Sequence, residues 1–151
     1  MYTRILVAID NSTTAQKALD EAITLARALG ASLCIANAAD EGPLTQHGMG
    51  LGSYIDIDKI KEEMRSAGNA LLAQALAKAQ AAGCQQAEVM LIESAQRRLG
   101  DMIIAAAAEW RADLIVMGTH GRRGFERFLV GSVAEHMVRT STTSLLLVRE
   151  N

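Results

Sequence analysis

The residues best suited to chemistry gather in one stretch, Gly118-Thr119-His120-Gly121-Arg122-Arg123-Gly124, which runs on to Gly131 and Ser132. Glycines at 118, 121, 124 and 131 carry no Cβ, so a ligand can approach the backbone closely. Gly131 and Ser132 stand where a helix opens, and the free N–H groups and positive dipole end of a helix favour an anion. That dipole is worth only about 0.3–1 kcal/mol at an exposed site, so direct hydrogen bonds must accompany it. The Ser132 hydroxyl can supply one. Arg122, Arg123 and Arg127 against Glu126 give the stretch a local positive excess. A phosphate group satisfies all of these features together. Taken singly, Gly-Ser is an ordinary helix cap and a glycine cluster an ordinary turn. It is their coincidence, with arginines between them, that indicates anion binding.

Asp10 has two readings. With Ser12 or Thr13 nearby it can cap the helix that follows, or it can face a crevice and accept a ribose hydroxyl, as acids at strand ends do in nucleotide folds. The second is preferred, since Ser12 and Thr13 cap equally well. Hydrolysis would need a base near the terminal phosphate and a held metal. The candidates are Asp10, His120 and His47, but His120 reads first as a turn residue and His136 as a helix-surface histidine. No glycine precedes Lys-Ser or Lys-Thr as in a phosphate-binding Walker loop, and no H-E-x-x-H or similar metal cage occurs.

These residues need elements to position them. Ile5–Ile9, Leu33–Ala36, Val89–Ile92, Leu114–Met117 and Leu145–Val148 are apolar without alternation, the mark of strands covered on both faces. Helical spacing lies between them. Ala15, Ala18, Leu19, Ala22, Ile23, Ala26 and Leu29 form one stripe stopped by Gly30, and Ile60, Met64, Ala67, Leu71 and Ala75 a second closed by Gly83. Leu99, Ile103, Ala106, Ala107 and Trp110 form a third, and Val133, Ala134, Met137 and Val138 a fourth. The order βαβαβαβαβ predicts one α/β domain over residues 1–151, an open five-stranded parallel sheet with helices on both faces in three layers. In such a sheet the ligand lies beyond the carboxyl ends of the strands, where Asp10, Asn37, Ala38 and Gly118 fall. Residues 40–56, DEGPLTQHGMGLGSYID, hold the only proline and four glycines, and read as a flexible loop or a mobile lid.

The net charge of −2 excludes the broad basic surface of a general nucleic-acid binder. Cys34 and Cys84 form no C-x-x-C pair and read as reduced thiols. No apolar stretch reaches the ~20 residues needed to span a bilayer, and no signal peptide precedes the first strand. The expectation is a cytoplasmic protein without nucleic-acid or membrane partners.

The chain resembles the universal stress protein family, in particular its ATP-binding branch. That branch carries G-x-x-G, nine residues, then G-S or G-T, and Gly118, Gly121, Gly131 and Ser132 match the spacing. The flanks ADLIVMGTHGRRG and GSVAEHMVRTS and the opening RILVAIDNS also fit, so the resemblance covers essentially the whole chain. It implies an adenine nucleotide α-hydrolase-like, Rossmann-like sheet with strand order 3-2-1-4-5. It implies that Ala8, Ile9 and Asp10 border the adenosine, with Asp10 on the ribose and Ala38 against the adenine. Met117 and Gly118 would flank base and ribose, and Gly121, Arg122, Arg123, Gly131, Ser132 and Val133 would hold the phosphates. ATP or a related adenine nucleotide is the implied ligand, with Mg2+ or Mn2+ carried by the triphosphate and a regulatory role without efficient catalysis. Slow ATP hydrolysis or phosphotransfer, and a dimeric interaction protein that has lost the nucleotide, are the alternatives.

The family also implies a homodimer, and the apolar run Leu145–Val148, expected at a sheet edge, is a surface that pairing with its own copy would protect. Three departures stand out: Ala38 is smaller than the usual residue, Ser144 replaces a usual proline, and Glu93–Asp101 lacks a common Gly-Pro turn. Valine at Gly118 or Gly131 is expected to abolish nucleotide retention while leaving the fold intact.

Overall fold

The computed structural model describes residues 1–40, 56–94, 97–120 and 130–150. Its elements are β1 (Arg4–Ile9), α1 (Thr13–Leu29), β2 (Ser32–Asp40), α2 (Ile57–Ala81), β3 (Glu88–Ser94), α3 (Leu99–Trp110), β4 (Leu114–Gly118), α4 (Ser132–Thr140) and β5 (Ser144–Val148). The strands form one sheet in the order β3-β2-β1-β4-β5, and every neighbouring pair is parallel. The strand order and the layering are those expected from the sequence. Beyond β1 the chain turns one way to β2 and the other way to β4, so the order reverses at the carboxyl ends of β1 and β4.

Alternate residues of the central strands feed two cores. Ile5, Val7, Ile9, Leu33, Ile35, Leu114 and Val116 pack with the Ala18, Leu19, Ala22 and Ile23 stripe of α1 and with Leu72, Ala75 and Ala79 of α2. On the opposite face Leu6, Cys34, Ala36, Ile115 and Met117 pack with Ile103 and Ala107 of α3 and Ala134 and Met137 of α4. Burial pushes the Cys34 thiol up to about 11, with Glu88 adding to the effect and Arg4 opposing it. The thiol therefore stays protonated at neutral pH, which suits a residue that serves as packing.

Helix ends follow the local signals. Ser12 caps α1 by accepting the Ala15 N–H, and Asp56 caps α2 by accepting the Lys59 N–H. Gly30 closes α1 at φ +65°, and Gly83 follows α2 at φ +109°, conformations that favour glycine.

Four expectations shift. In α2 the buried line is Gly68, Leu72, Ala75 and Ala79, whereas Ala67 is exposed. The face is turned because Gly68 sits against the sheet, where a Cβ would stand 2.7 Å from Asn37 Oδ1 and 2.8 Å from Leu91 Cδ1. In α4 Val138 is 56% exposed and does not join the core. In β3 Val89 is 43% exposed, because this strand is a sheet edge and lacks the two-sided cover its apolar run predicts. β2 also runs on past Ala36 to Asp40, carrying Asn37 and Ala38 within the strand. Of the Glu93–Asp101 stretch, Glu93 and Ser94 still belong to β3, and from Arg97 onward the chain leads directly into α3; residues 95 and 96 lie outside the described residues.

The turned face of α2 yields a stability prediction. Gly68→Ala gains about 0.8–1 kcal/mol of helix propensity at an ordinary site. Here the new methyl meets Asn37, whose amide is tethered to β1, so the replacement is expected to destabilise by about 1–2 kcal/mol. Urea unfolding followed by Trp110 fluorescence measures it, and a rise in midpoint would contradict the packing.

Candidate functional site

Asp10 follows β1 directly and is half-buried. Its Oδ1 accepts the Ser12 N–H at 2.8 Å, and Ser12 in turn caps α1. Ser12 is thus the cap of α1, and Asp10 braces the turn that leads into it without capping the helix itself. Ile9 itself is a core residue, 4% exposed, and offers the crevice only its backbone. Its carbonyl accepts a 2.9 Å hydrogen bond from the buried Asn37 amide, which ties the end of β1 to β2. Ala8 and Ala38 are half-buried and belong to the face of the sheet covered by α3 and α4.

Gly118 ends β4 against the first turn of α1. A Cβ there would lie 2.9 Å from Thr14 Cβ and 3.1–3.2 Å from the Thr14 carbonyl group. This glycine is demanded by the packing of the chain on itself, before any ligand is considered. Met117 is buried at 7% exposure.

Beyond β4 the backbone is held from three sides. The Thr119 N–H donates to the Val148 carbonyl at 2.9 Å, the Gly131 N–H donates to the Thr119 carbonyl at 2.7 Å, and Thr14 Oγ1 donates to the His120 carbonyl at 2.6 Å. The last two bonds bring the start of α4 and the start of α1 against the end of β4. Gly131 is the N-cap of α4 and provides no side-chain cap. A Cβ at 131 would stand 2.9 Å from the Thr119 carbonyl oxygen, so close approach again requires glycine. Ser132 is exposed at the first position of the helix and Val133 is half-buried. The first turn of α4 thereby has no side-chain cap on its backbone N–H groups, the chemistry that suits an anion at a helix start.

His120 reads in the sequence first as a turn residue. Its Nδ1 shares a 3.0 Å hydrogen bond with Thr119 Oγ1, while its Nε2 is buried and has no hydrogen-bond partner among the described residues. An unpaired buried polar atom costs about 1–3 kcal/mol, so a chain that keeps one invites a functional explanation. Thr14 is the site's addition to the sequence reading. Thr14 had a signal, since a polar residue four positions before Ala18 falls on the apolar stripe of α1.

Asp10, Gly118, Gly131 and Ser132 all lie at the carboxyl edge of the sheet, where the strand order reverses. Gly121, Arg122 and Arg123 lie outside the described residues, as do His47 and most of the 40–56 segment. His136 is placed on α4 with its Nε2 2.7 Å from Asp101 Oδ1 of α3, a pairing between the two helices. Among the described residues no group of three or more His, Cys, Asp or Glu could hold a metal ion.

Fold and crevice together define an open α/β protein of the doubly wound class, whose strand order reverses at the ends of β1 and β4. The model of the universal stress protein family matches residues 1–149, and the chain belongs to that family. A universal stress protein of Bacillus subtilis (strain 168), YxiE, is 32% identical over 152 residues, covering 99% of this chain and 100% of that one. A solved universal stress protein in complex with cAMP is 29% identical, with a TM-score of 0.70 and 99% of each chain covered. The universal stress protein from Archaeoglobus fulgidus in complex with dAMP is 25% identical, with a TM-score of 0.66 and 98% of each chain covered.

Proposed function

We propose that the chain is an ATP-binding regulatory protein of this family, holding ATP or a related adenine nucleotide at the carboxyl ends of β1 and β4 without efficient catalysis. The observation that carries this reading is the convergence of Asp10, Gly118 and the uncapped Gly131–Ser132 helix start on one edge of the sheet. The cAMP and dAMP complexes of related chains support an adenine nucleotide as the ligand class. The residues fit such a group: glycines at 118 and 131 keep the backbone clear.

In this reading Asp10 accepts ribose hydroxyls and Ala8, Ile9, Ala38 and Met117 border the adenosine. The first-turn N–H groups of Ser132 and Val133, with Gly121, Arg122 and Arg123, hold the phosphates. Mg2+ or Mn2+ accompanies the triphosphate through phosphate oxygens. The Ser12 N–H holds Asp10 Oδ1 and so orients the carboxylate that receives the ribose.

Native purification followed by denaturation is expected to release an adenine nucleotide, identified by chromatography and mass. The loaded protein with Mg2+ should then accumulate ADP slowly or not at all. Absence of any bound or bindable nucleotide would sink the reading, and rapid turnover would replace the binder with an enzyme.

A homodimer through Leu145–Val148 belongs to the same proposal. β5 is an edge strand whose Leu145–Val148 are only half-buried, and an apolar edge of this kind is protected by pairing. Sedimentation at micromolar concentration should give the dimer mass; a monomer there refutes the pairing. No helix among the described residues is long and apolar enough to cross a membrane, and a cytoplasmic location is proposed with the rest.

A further inference from the structure

We propose that β3 is a second, weaker self-association surface, where the edge strand pairs antiparallel with β3 of another copy of this chain and α3 packs against its own mate. The surface lies at the sheet edge opposite β5 and is independent of the nucleotide reading.

First, β3 is an open edge without the usual guards. It pairs with β2 in unbroken register from Glu88 to Ser94, and no strand stands on its other side among the described residues. Natural edges are blunted by lysine, proline or a bulge, and Glu88–Ser94 has none of these. Its two glutamates are committed within the chain. Glu88 Oε2 accepts from Trp110 Nε1 at 2.6 Å, and Glu93 Oε1 accepts from Arg65 Nε at 2.7 Å.

Second, the edge continues into a groove of about 730 Å³ beside α3, lined by Met90 and Ile92 of the strand and by Met102, Ala105, Ala106 and Trp110 of the helix. α3 stands over β2 and β3, so its axis lies just inside the edge. With strands about 4.8 Å apart, a copy added across the edge brings its α3 to about 10 Å from this one. Packed helices stand about 8–10 Å apart, and alanines at 105 and 106 suit so close a contact. A second copy thus supplies both the missing strand and the wall that closes the groove, whereas a bare peptide strand supplies only the first. On the other face Val89, 43% exposed, gains cover from the same pairing.

Third, charge and strand pattern are self-complementary about a twofold axis. Trp110 is bonded to Glu88 at the amino end of β3, and the chain passes from Ser94 to Leu99 at its carboxyl end, so the middle of α3 lies over Leu91. Arg97 lines one end of the groove and Glu109 the other. Both are exposed, and neither has a partner among the described residues. Arg98 and Arg111 do not line the groove. An antiparallel mate centred on Leu91 sets Arg97 against the partner's Glu109, and Glu109 against the partner's Arg97. Along the strands Met90 meets the partner's Ile92 and Val89 the partner's Glu93, so no like charges face each other. Because β3 and β5 are opposite edges, pairing at both joins dimers into an open row.

Sedimentation velocity on the full chain, from about 5 to about 500 µM at roughly 50 mM salt, tests the inference. Wild type is expected to pass beyond the dimer mass as concentration rises. Arg97→Glu and Glu109→Arg should each weaken that step by about tenfold or more, since each reversal sets like charges together twice. The double variant Arg97→Glu/Glu109→Arg restores both pairs and should return to within about threefold of wild type. Circular dichroism checks that each variant is folded. Should one not fold, Leu91→Cys decides, because its Cα and that of its mate stand about 4.5–5.5 Å apart in an antiparallel pair, within disulfide reach. Oxidation should then give a cross-linked dimer that wild type, with Cys34 and Cys84 alone, does not give. Absence of that product overturns the proposal.

A wild type that never exceeds the dimer, with a dimer that survives Arg97→Glu, leaves this edge to another partner and overturns the inference. So does a larger species indifferent to the single reversals or not restored by the double one. A dimer that is itself lost in Arg97→Glu places the pairing at β3 and defeats the β5 homodimer instead. A monomer at every concentration defeats both.

Discussion

Gly118→Val is expected to cost about 3 kcal/mol of stability, seen as a fall in Tm of roughly 6–12 °C. The first carbon of the new side chain would arrive 2.9 Å from Thr14 Cβ and 3.1–3.2 Å from the Thr14 backbone carbonyl. None of those atoms is the free end of a flexible side chain. Thr14 is 2% exposed in the first turn of α1, and its hydroxyl is committed to the His120 carbonyl. On the other side β4 is paired with β1 and β5, so the strand cannot retreat without breaking a ladder. Separation of α1 from the end of β4 is the remaining relief, and it opens the core. This revises the expectation that valine at 118 would leave the fold intact: nucleotide retention and stability should fall together. Thermal unfolding followed by circular dichroism measures the effect, and a Tm within about 2 °C of wild type would show that the α1–β4 contact is looser than described.

Asp10→Ala is expected to weaken ATP by about 10–100-fold, the range for losing hydrogen bonds to a charged group. The carboxylate has two tasks in the proposed complex. Oδ1 fixes the Ser12 N–H and thereby the entry into α1, and the group as a whole receives the ribose hydroxyls. Asp10→Asn separates them, since its amide oxygen can still accept from Ser12 while the charge is gone. The comparison that isolates the ribose is ATP against its 2′,3′-dideoxy analogue. Wild type should prefer ATP, and Asp10→Ala should lose most of that preference. Equal losses for both ligands would assign Asp10 to the turn alone and remove it from the ribose.

Much of this architecture was readable before any coordinates. The continuous apolar runs located every strand, and the alanine-rich stripe of α1 named the residues that now fill one core. Gly30 and Ser12 marked helix ends through local backbone and hydrogen-bonding preferences, which depend on few neighbours. Gly118, Gly131, Ser132 and Asp10 were singled out by type and position, and they do share one edge of the sheet. The misplacements have a common cause. Ala67 against Gly68, Val138 and Val89 were each judged by apolarity, which says that a side chain can be buried but not which neighbour will cover it.

By itself the sequence determined the succession of elements, the glycine and serine spacing of the candidate phosphate turn and the membership of the chain in its family. Those properties are local or one-dimensional: periodicity, caps and motif spacing are carried by residues near one another in the chain. Tertiary structure decided why the glycines are required, since Gly118 answers to Thr14 and Gly131 to the Thr119 carbonyl, and Gly68 of α2 to an asparagine of β2. It also decided that Asn37 secures the end of β1 and that His120 holds a buried nitrogen without a partner among the described residues. These facts depend on contacts between residues as many as 106 positions apart, as between Thr14 and His120, and such contacts exist only once the parallel sheet has brought its strand ends together.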